Sequence, residues 1–213
     1  MAPTAPTFAP PVRYMGAQVS TYSHGGAYSV TLLATGMPLP VNSPALLSLE
    51  TQAMNIIGTF GGVRYRTAAV AKSQLYRPPA HSLAPAYQPP PRAPARAVEL
   101  GHGVDGRQYD VMKAGSGVPM VEWRTGGWTF QVWDGTSRQN LEQARTVVAF
   151  LSTHRLPQTY GVFGENIAGD GQHTSVAWQY GDMVYACFDY ASGLQAAQMA
   201  VSERVYPSGR IRP

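Results

Sequence analysis

Residues 123–134 read Trp-Arg-Thr-Gly-Gly-Trp-Thr-Phe-Gln-Val-Trp-Asp, and residues 178–189 read Trp-Gln-Tyr-Gly-Asp-Met-Val-Tyr-Ala-Cys-Phe-Asp. Trp123 matches Trp178, Gly126 matches Gly181, Phe130 matches Tyr185 and Asp134 matches Asp189, all at one offset of 55 residues. In the front part of the chain Tyr28, Val30 and Leu32 alternate with polar or small residues, the period of a half-buried strand. Glycine at the centre of each copy supplies the positive φ that a tight hairpin turn needs. Each copy is then followed by a segment with helical periodicity. After the first, Thr136 and Gln139 fit a capping box, and Leu141, Ala144, Val147, Val148 and Leu151 fall on one face of a helix reaching about His154. After the second, a closing helix from Gly193 to about Arg204 presents Leu194, Ala197 and Val201. One hairpin cannot bury an apolar face alone, but two copies build a shared sheet with both helices on one side. The expected fold class is therefore α+β: antiparallel sheets with helices packed on one face, and a duplicated β-hairpin–helix unit in the C-terminal lobe.

Outward from the repeat, strands are expected near Tyr160–Phe163, Thr174–Trp178 and Met183–Tyr190, and Arg107–Val111 also reads as strand. The first part of the chain gives a hairpin from Ala17–Tyr22 and Ala27–Ala34 around Gly25-Gly26, a short helix from Pro44 toward Ile57, a turn at Gly58-Thr59-Phe60-Gly61-Gly62 and a second short helix over Thr67–Leu75. The front hairpin, Tyr22 to Tyr28, is a degenerate third copy in this reading. Seven prolines between Pro78 and Pro94 fix φ and remove donors, so 76–98 is expected as a polyproline-type linker or a strap across the surface. The expected organisation is a disordered Pro-rich stem at 1–11, an N-terminal lobe at 12–75, that linker, a C-terminal lobe at 99–206 and a flexible tail at 207–213.

Composition narrows the function classes. No apolar run approaches the ~18 residues of a membrane span. A single cysteine, Cys187, excludes an internal disulfide, and its apolar neighbours mark it as a buried small side chain. Residues 1–98 hold seven basic groups and one acid, whereas 99–206 hold seven basic and eleven acidic. Oppositely charged halves attract one another, within a molecule or as a homo-oligomer. Met1-Ala2-Pro3-Thr4-Ala5-Pro6-Thr7 has no basic n-region or apolar core of a secretory signal. A Pro/Thr/Ala-rich start is common just past a removed signal, which favours a secreted or cell-envelope location over a cytoplasmic one. The Trp-x-x-Gly hairpin followed by a helix, with Tyr185 after Gly181 and Ala200 in the closing helix, resembles small domains of extracytoplasmic proteins in Gram-positive bacteria across 120–205. That resemblance implies location rather than chemistry and brings no catalytic residues.

Catalytic patterns are thin. Gly101-His102-Gly103-Val104-Asp105-Gly106 matches the dinucleotide-binding glycine pattern, but a Pro-rich stretch precedes it where a strand is needed, and a strand follows where a helix is needed. His24, His81, His102, His154 and His173 show no metal-ligand spacing, and His102 with Asp105 or His173 with Asp170 gives two ligands at most. No cofactor is expected. Asp134 and Asp189 end equivalent strands, as paired carboxylates of a hydrolase acting on an envelope polymer or as structural caps. Arg64-Tyr65-Arg66 is a short basic-aromatic run, the basis of a nucleic-acid reading that the rest of the charge distribution does not extend. The leading expectation is a non-catalytic binding or assembly module for a protein or cell-envelope polymer. Its candidate contact residues are Trp123, Trp128, Trp178 and Tyr180, with Arg64 and Arg66.

Overall fold

The structure is a computed structural model that describes residues 4–8, 12–22, 26–50, 52, 55–76, 87, 90, 92, 94–110, 118–167, 173–189 and 193–205. The sheet grows from the two hairpins read in the sequence. Strands β7 (Met120–Thr125) and β8 (Trp128–Trp133) form the first, and β10 (His173–Tyr180) and β11 (Met183–Asp189) form the second. Thr125 pairs with Trp128 and Tyr180 with Met183, so both turns have two central residues. Gly126 has φ 57° and Gly181 has φ 60°, the left-handed geometry required at equivalent places in the repeat. Helix α3 (Ser137–Thr153) follows the first hairpin and α4 (Gly193–Ser202) the second. The duplicated unit is thus present in both copies.

Their continuations differ. From α3 the chain re-enters the sheet as β9 (Gly161–Asn166), which lies parallel to β8 and antiparallel to β10. A parallel neighbour needs a crossover, and α3 supplies it. From α4 the chain leaves the large sheet and becomes β12 (Glu203–Val205), which pairs with β1 (Thr4–Pro6).

Ten strands form the main sheet: β2 (Met15–Tyr22), β3 (Ala27–Ala34), β4 (Ile56–Arg64), β11, β10, β9, β8, β7, β6 (Val104–Tyr109) and β5 (Ala95–Gly101), in that order. Two short helices, α1 (Pro44–Glu50) and α2 (Ala68–Gln74), flank β4 in the chain. Rings and branched side chains from alternate strand positions, including Trp123, Phe130, Phe163, Trp178 and Tyr185, pack with Ala144, Val147 and Val148 of α3 and Ala196, Ala197, Met199 and Ala200 of α4. The opposite positions, Val162, Ala177, Val184 and Ala186, pack with Ala71 and Leu75 at α2. The repeat's two helices therefore share one face, and α2 covers part of the other.

Several sequence expectations need correction. The Gly58–Gly62 stretch is the middle of β4, not a turn, and the helix starting at Pro44 stops at Glu50. A Cβ on Gly62 would sit 3.0 Å from ring carbons of Tyr185 and Tyr28, and one on Gly58 would sit 3.1 Å from Met199 Sδ. These glycines mark close packing of large neighbours within a strand rather than chain reversal. On α4 the buried positions are Ala196, Ala197, Met199 and Ala200, while Leu194 and Val201 are only half-buried.

The expected lobes share one sheet, because Thr59–Arg64 of β4 pair with Met183–Phe188 of β11. The last residues of the expected linker, from Ala95, already belong to β5. Tyr87 packs on the α2 side of the sheet, its ring 5.1 Å from that of Tyr76 and at 83° to it, while most of the expected linker before Ala95 lies outside the described residues. Part of the expected disordered stem is β1. Thr7 N and Oγ1 donate to Ser202 O at 3.3 and 3.1 Å, and Phe8 packs against the core. An apolar anchor that the proline content obscured holds it in place. His24, His81, Asp170, Gly25 and the tail at 207–213 lie outside the described residues.

Candidate functional site

The connection from α3 to β9 borders a cavity. Polar and proline residues from His154 to Thr159 interrupt the helical period, and Pro157 bars its continuation. The segment is pinned on both sides. Trp128 Nε1 donates to Pro157 O at 3.0 Å, and Gly161 N donates to Gly127 O at 3.2 Å. Gln179 N donates to Tyr160 O at 3.0 Å, and Thr159 Oγ1 donates to Gln179 O at 2.6 Å. Two glycines make the approach possible. A Cβ on Gly127 would lie 2.6 Å from Thr159 O, and one on Gly161 would lie 2.5 Å from two carbons of the Trp128 ring.

The result is a cleft of about 770 Å³ between the β7–β8 turn, the C-terminal end of α3 and the 154–160 segment. That size falls in the range of small-molecule sites. Trp128, Phe130, Leu151 and Leu156 supply its apolar part, and His154, Arg155, Gln158 and Tyr160 its polar rim. A second cavity of about 380 Å³, with His102 and Val104 on its far side, shares Thr125 and Leu151 with the first. The His154 ring stacks on Phe150 at 4.1 Å and 11°, with Nδ1 3.0 Å from Phe150 O. Thr153 Oγ1 also lies 3.0 Å from this Nδ1, so the ring is engaged with its own last helical turn. Lys72 Nζ lies 3.3 Å from the Tyr160 ring centroid, a cation–π contact that holds this ring at the rim.

The residues named from sequence divide cleanly. Trp123, Trp128 and Trp178 are 3%, 6% and 4% exposed, so they are interior packing and not an exposed aromatic platform. Trp123 stacks on Phe130 at 5.0 Å and 7°, and Trp178 lies 6.0 Å from Tyr185 at 27°. Large rings gain most from burial, and alternation aims them all at the helix-covered side. Tyr180, by contrast, is 62% exposed. Arg64 stands across from Met183 in the β4–β11 register and pairs with Asp182 at 3.5 Å, which brings it to the same turn as Tyr180. Arg66 is exposed two residues beyond. The structure therefore unites Tyr180 with Arg64 and places the three tryptophans beneath the surface.

The other candidates fall apart on geometry. Asp134 follows β8 and Asp189 ends β11, with two strands between them. Three interstrand spacings amount to roughly 14 Å, beyond the ~9.5 Å limit for a paired-carboxylate glycosidase. Asp189 is also fully buried. The glycine pattern at 101–106 is the β5–β6 hairpin turn, with φ of 91°, 54° and 72° at Gly101, His102 and Gly103, and it opens a strand rather than a helix. Among the described residues, no group of three or more His, Cys, Asp or Glu side chains is placed to hold a metal ion. Cys187 is buried, and its thiol is pushed well above the ordinary value by loss of solvent, with nearby Glu203 adding to the shift. That is the opposite of an activated thiolate.

Sequence reasoning missed Arg155, Leu156, Tyr160 and Lys72. The run from His154 to Tyr160 lacks periodicity, and only its position between a capped helix and a strand marked it as a connection.

No protein-family model and no curated protein matches the chain. A crystal structure from Bacteroides thetaiotaomicron VPI-5482 aligns with 93% of this chain and 44% of its own, at 10% identity and a TM-score of 0.24. The chain thus spans less than half the length of that structure, and an alignment of this quality carries no argument about fold or function. Among the described residues, no helix is long and apolar enough to cross a membrane.

Proposed function

We propose that this chain is a non-catalytic binding module, secreted or held at the cell envelope, and that its contact site is the cleft between the β7–β8 turn and residues 154–160. One observation carries the reading. A partly apolar cavity of about 770 Å³ stands open beside a segment already pinned by four hydrogen bonds to the β7–β8 hairpin and β10, so little ordering is left for a ligand to impose. Such preformed apolar sites with a few polar groups are the usual form of a ligand pocket. The wide spacing of Asp134 and Asp189 argues against the alternative of an envelope-polymer hydrolase.

An uncharged aromatic probe tests the site without presuming a natural ligand. Titration of the chain with benzyl alcohol should shift the Trp128 indole N–H resonance saturably and leave Tyr180 resonances in place. Absence of a saturable shift removes this cleft as a binding site. Cell fractionation tests the location: recovery of the native protein in the cytosolic fraction alone overturns the envelope assignment.

A further inference from the structure

We infer that the cleft selects aromatic carboxylates, with the ring lying against Leu151 and Leu156, near the buried Trp128, and the carboxylate meeting Arg155. The inference rests on the proposed binding role of the cleft and specifies its ligand class. Three observations converge on it. No Asp or Glu lines the cavity, although twelve such residues occur in the chain. Arg155 sits at its rim and forms no ion pair among the described residues. Finally, Lys72, which does not itself line the cavity, holds a second cation against the Tyr160 ring, so positive rather than negative charge stands near this rim.

A neutral aromatic ligand fills the apolar part but leaves this field unused. An anionic group on the same ring gains a bidentate hydrogen-bonded partner in Arg155, the geometry in which guanidinium and carboxylate fit best. A long polyanion fits less well. Its charges need a track of cations, whereas Arg155 is the one Lys or Arg side chain among the described residues that line this cavity.

The test compares phenylacetate with phenylacetamide, which has nearly the same shape and no charge. Each is titrated into the full chain at low ionic strength by calorimetry and by the Trp128 indole resonance. Phenylacetate is expected to bind about tenfold more tightly, a size of preference in keeping with one charge-assisted contact at an exposed rim. Arg155→Gln, an exposed change checked for an unaltered melting temperature, should bring the carboxylate down to the affinity of the amide while sparing the amide. Equal binding of the two ligands to the unaltered chain overturns the carboxylate inference and leaves the cleft as a binding site. A preference that survives Arg155→Gln also overturns it. If neither ligand binds, the inference falls together with the proposed function.

Discussion

Arg64 Nε lies 3.5 Å from Asp182 Oδ2, and this contact joins the basic first half of the chain to the acidic second half within one molecule. Here a cation of β4 meets an anion of the β10–β11 turn. Both side chains are well exposed, at 46% and 40%. A double-mutant cycle of Arg64→Ala and Asp182→Ala should give a coupling of about 0.2–1 kcal/mol in urea unfolding. Added salt should shrink it further. A coupling several times larger would mean that the pair is more shielded than its exposure shows.

Gly161 tests how the cleft is assembled. An added Cβ meets the Trp128 ring at 2.5 Å, and the ring has no room to withdraw because its Nε1 is held by Pro157 O. Gly161→Ala should cost about 1–3 kcal/mol through overpacking. Gly36→Ala is the control. Nothing lies within 4 Å of its Cβ position, and its backbone is outside the left-handed region, so the change should be within about 0.5 kcal/mol of neutral. Chemical denaturation of both variants reads the contrast.

The first helix of the repeat begins with a reciprocal cap. Thr136 Oγ1 accepts from Gln139 N at 3.2 Å, and Gln139 Oε1 accepts from Thr136 N at 3.0 Å. Thr136→Ala removes one half of this arrangement and should cost about 1 kcal/mol. Gln139→Ala should cost less, since the Thr136 bond to the helix survives.

These cases show which parts of the fold were legible in the sequence. The capping box, the turn glycines at 126 and 181 and the apolar stripe of α3 are local, and local geometry is written in residues three or four apart. β4 was not legible. Gly58 and Gly62 look like parts of a turn until Tyr28, Tyr185 and Met199 arrive from distant segments to occupy the space that the missing side chains leave. The same holds for β1, which forms only because β12 comes to pair with it. The candidate site was less legible still. Alternation identified the tryptophans as large rings on one face, but which face is covered depends on where α3 and α4 land. Arg155 and Lys72 are 83 positions apart in the chain, and no local pattern links them.

Alkaline pH should expose the burial of Cys187. Its thiol is raised well above the ordinary 9.0 by desolvation, and Tyr185 is raised above 10.0 chiefly by the same cause. A group whose pKa is higher in the folded state favours folding while it is protonated in both states. That contribution is complete below the unfolded value and is lost as pH rises toward the folded one. Stability measured by urea unfolding should therefore be level up to about pH 8 and fall above pH 9, where the unfolded thiol ionises first. Cys187→Ala should lower stability at neutral pH, because it opens a small cavity, yet flatten the first part of the alkaline decline. In the unaltered chain a thiol reagent should react only as fast as the protein opens. Rapid reaction under native conditions would place Cys187 at the surface and contradict its burial.

The sharpest separation is between Trp178 and Tyr180, two residues apart on β10. Trp178 is 4% exposed and stacks with Tyr185, whereas Tyr180 is 62% exposed at the turn. Trp178→Ala removes a large ring from a packed interior and should cost about 3–5 kcal/mol. Tyr180→Ala takes away a ring that is mostly in water and should change stability by no more than about 0.5 kcal/mol. If instead Trp178→Ala proved harmless, the helix-covered side of the sheet would not be the core, and the cleft beside Trp128 would lose the rigid floor on which ligand selection depends.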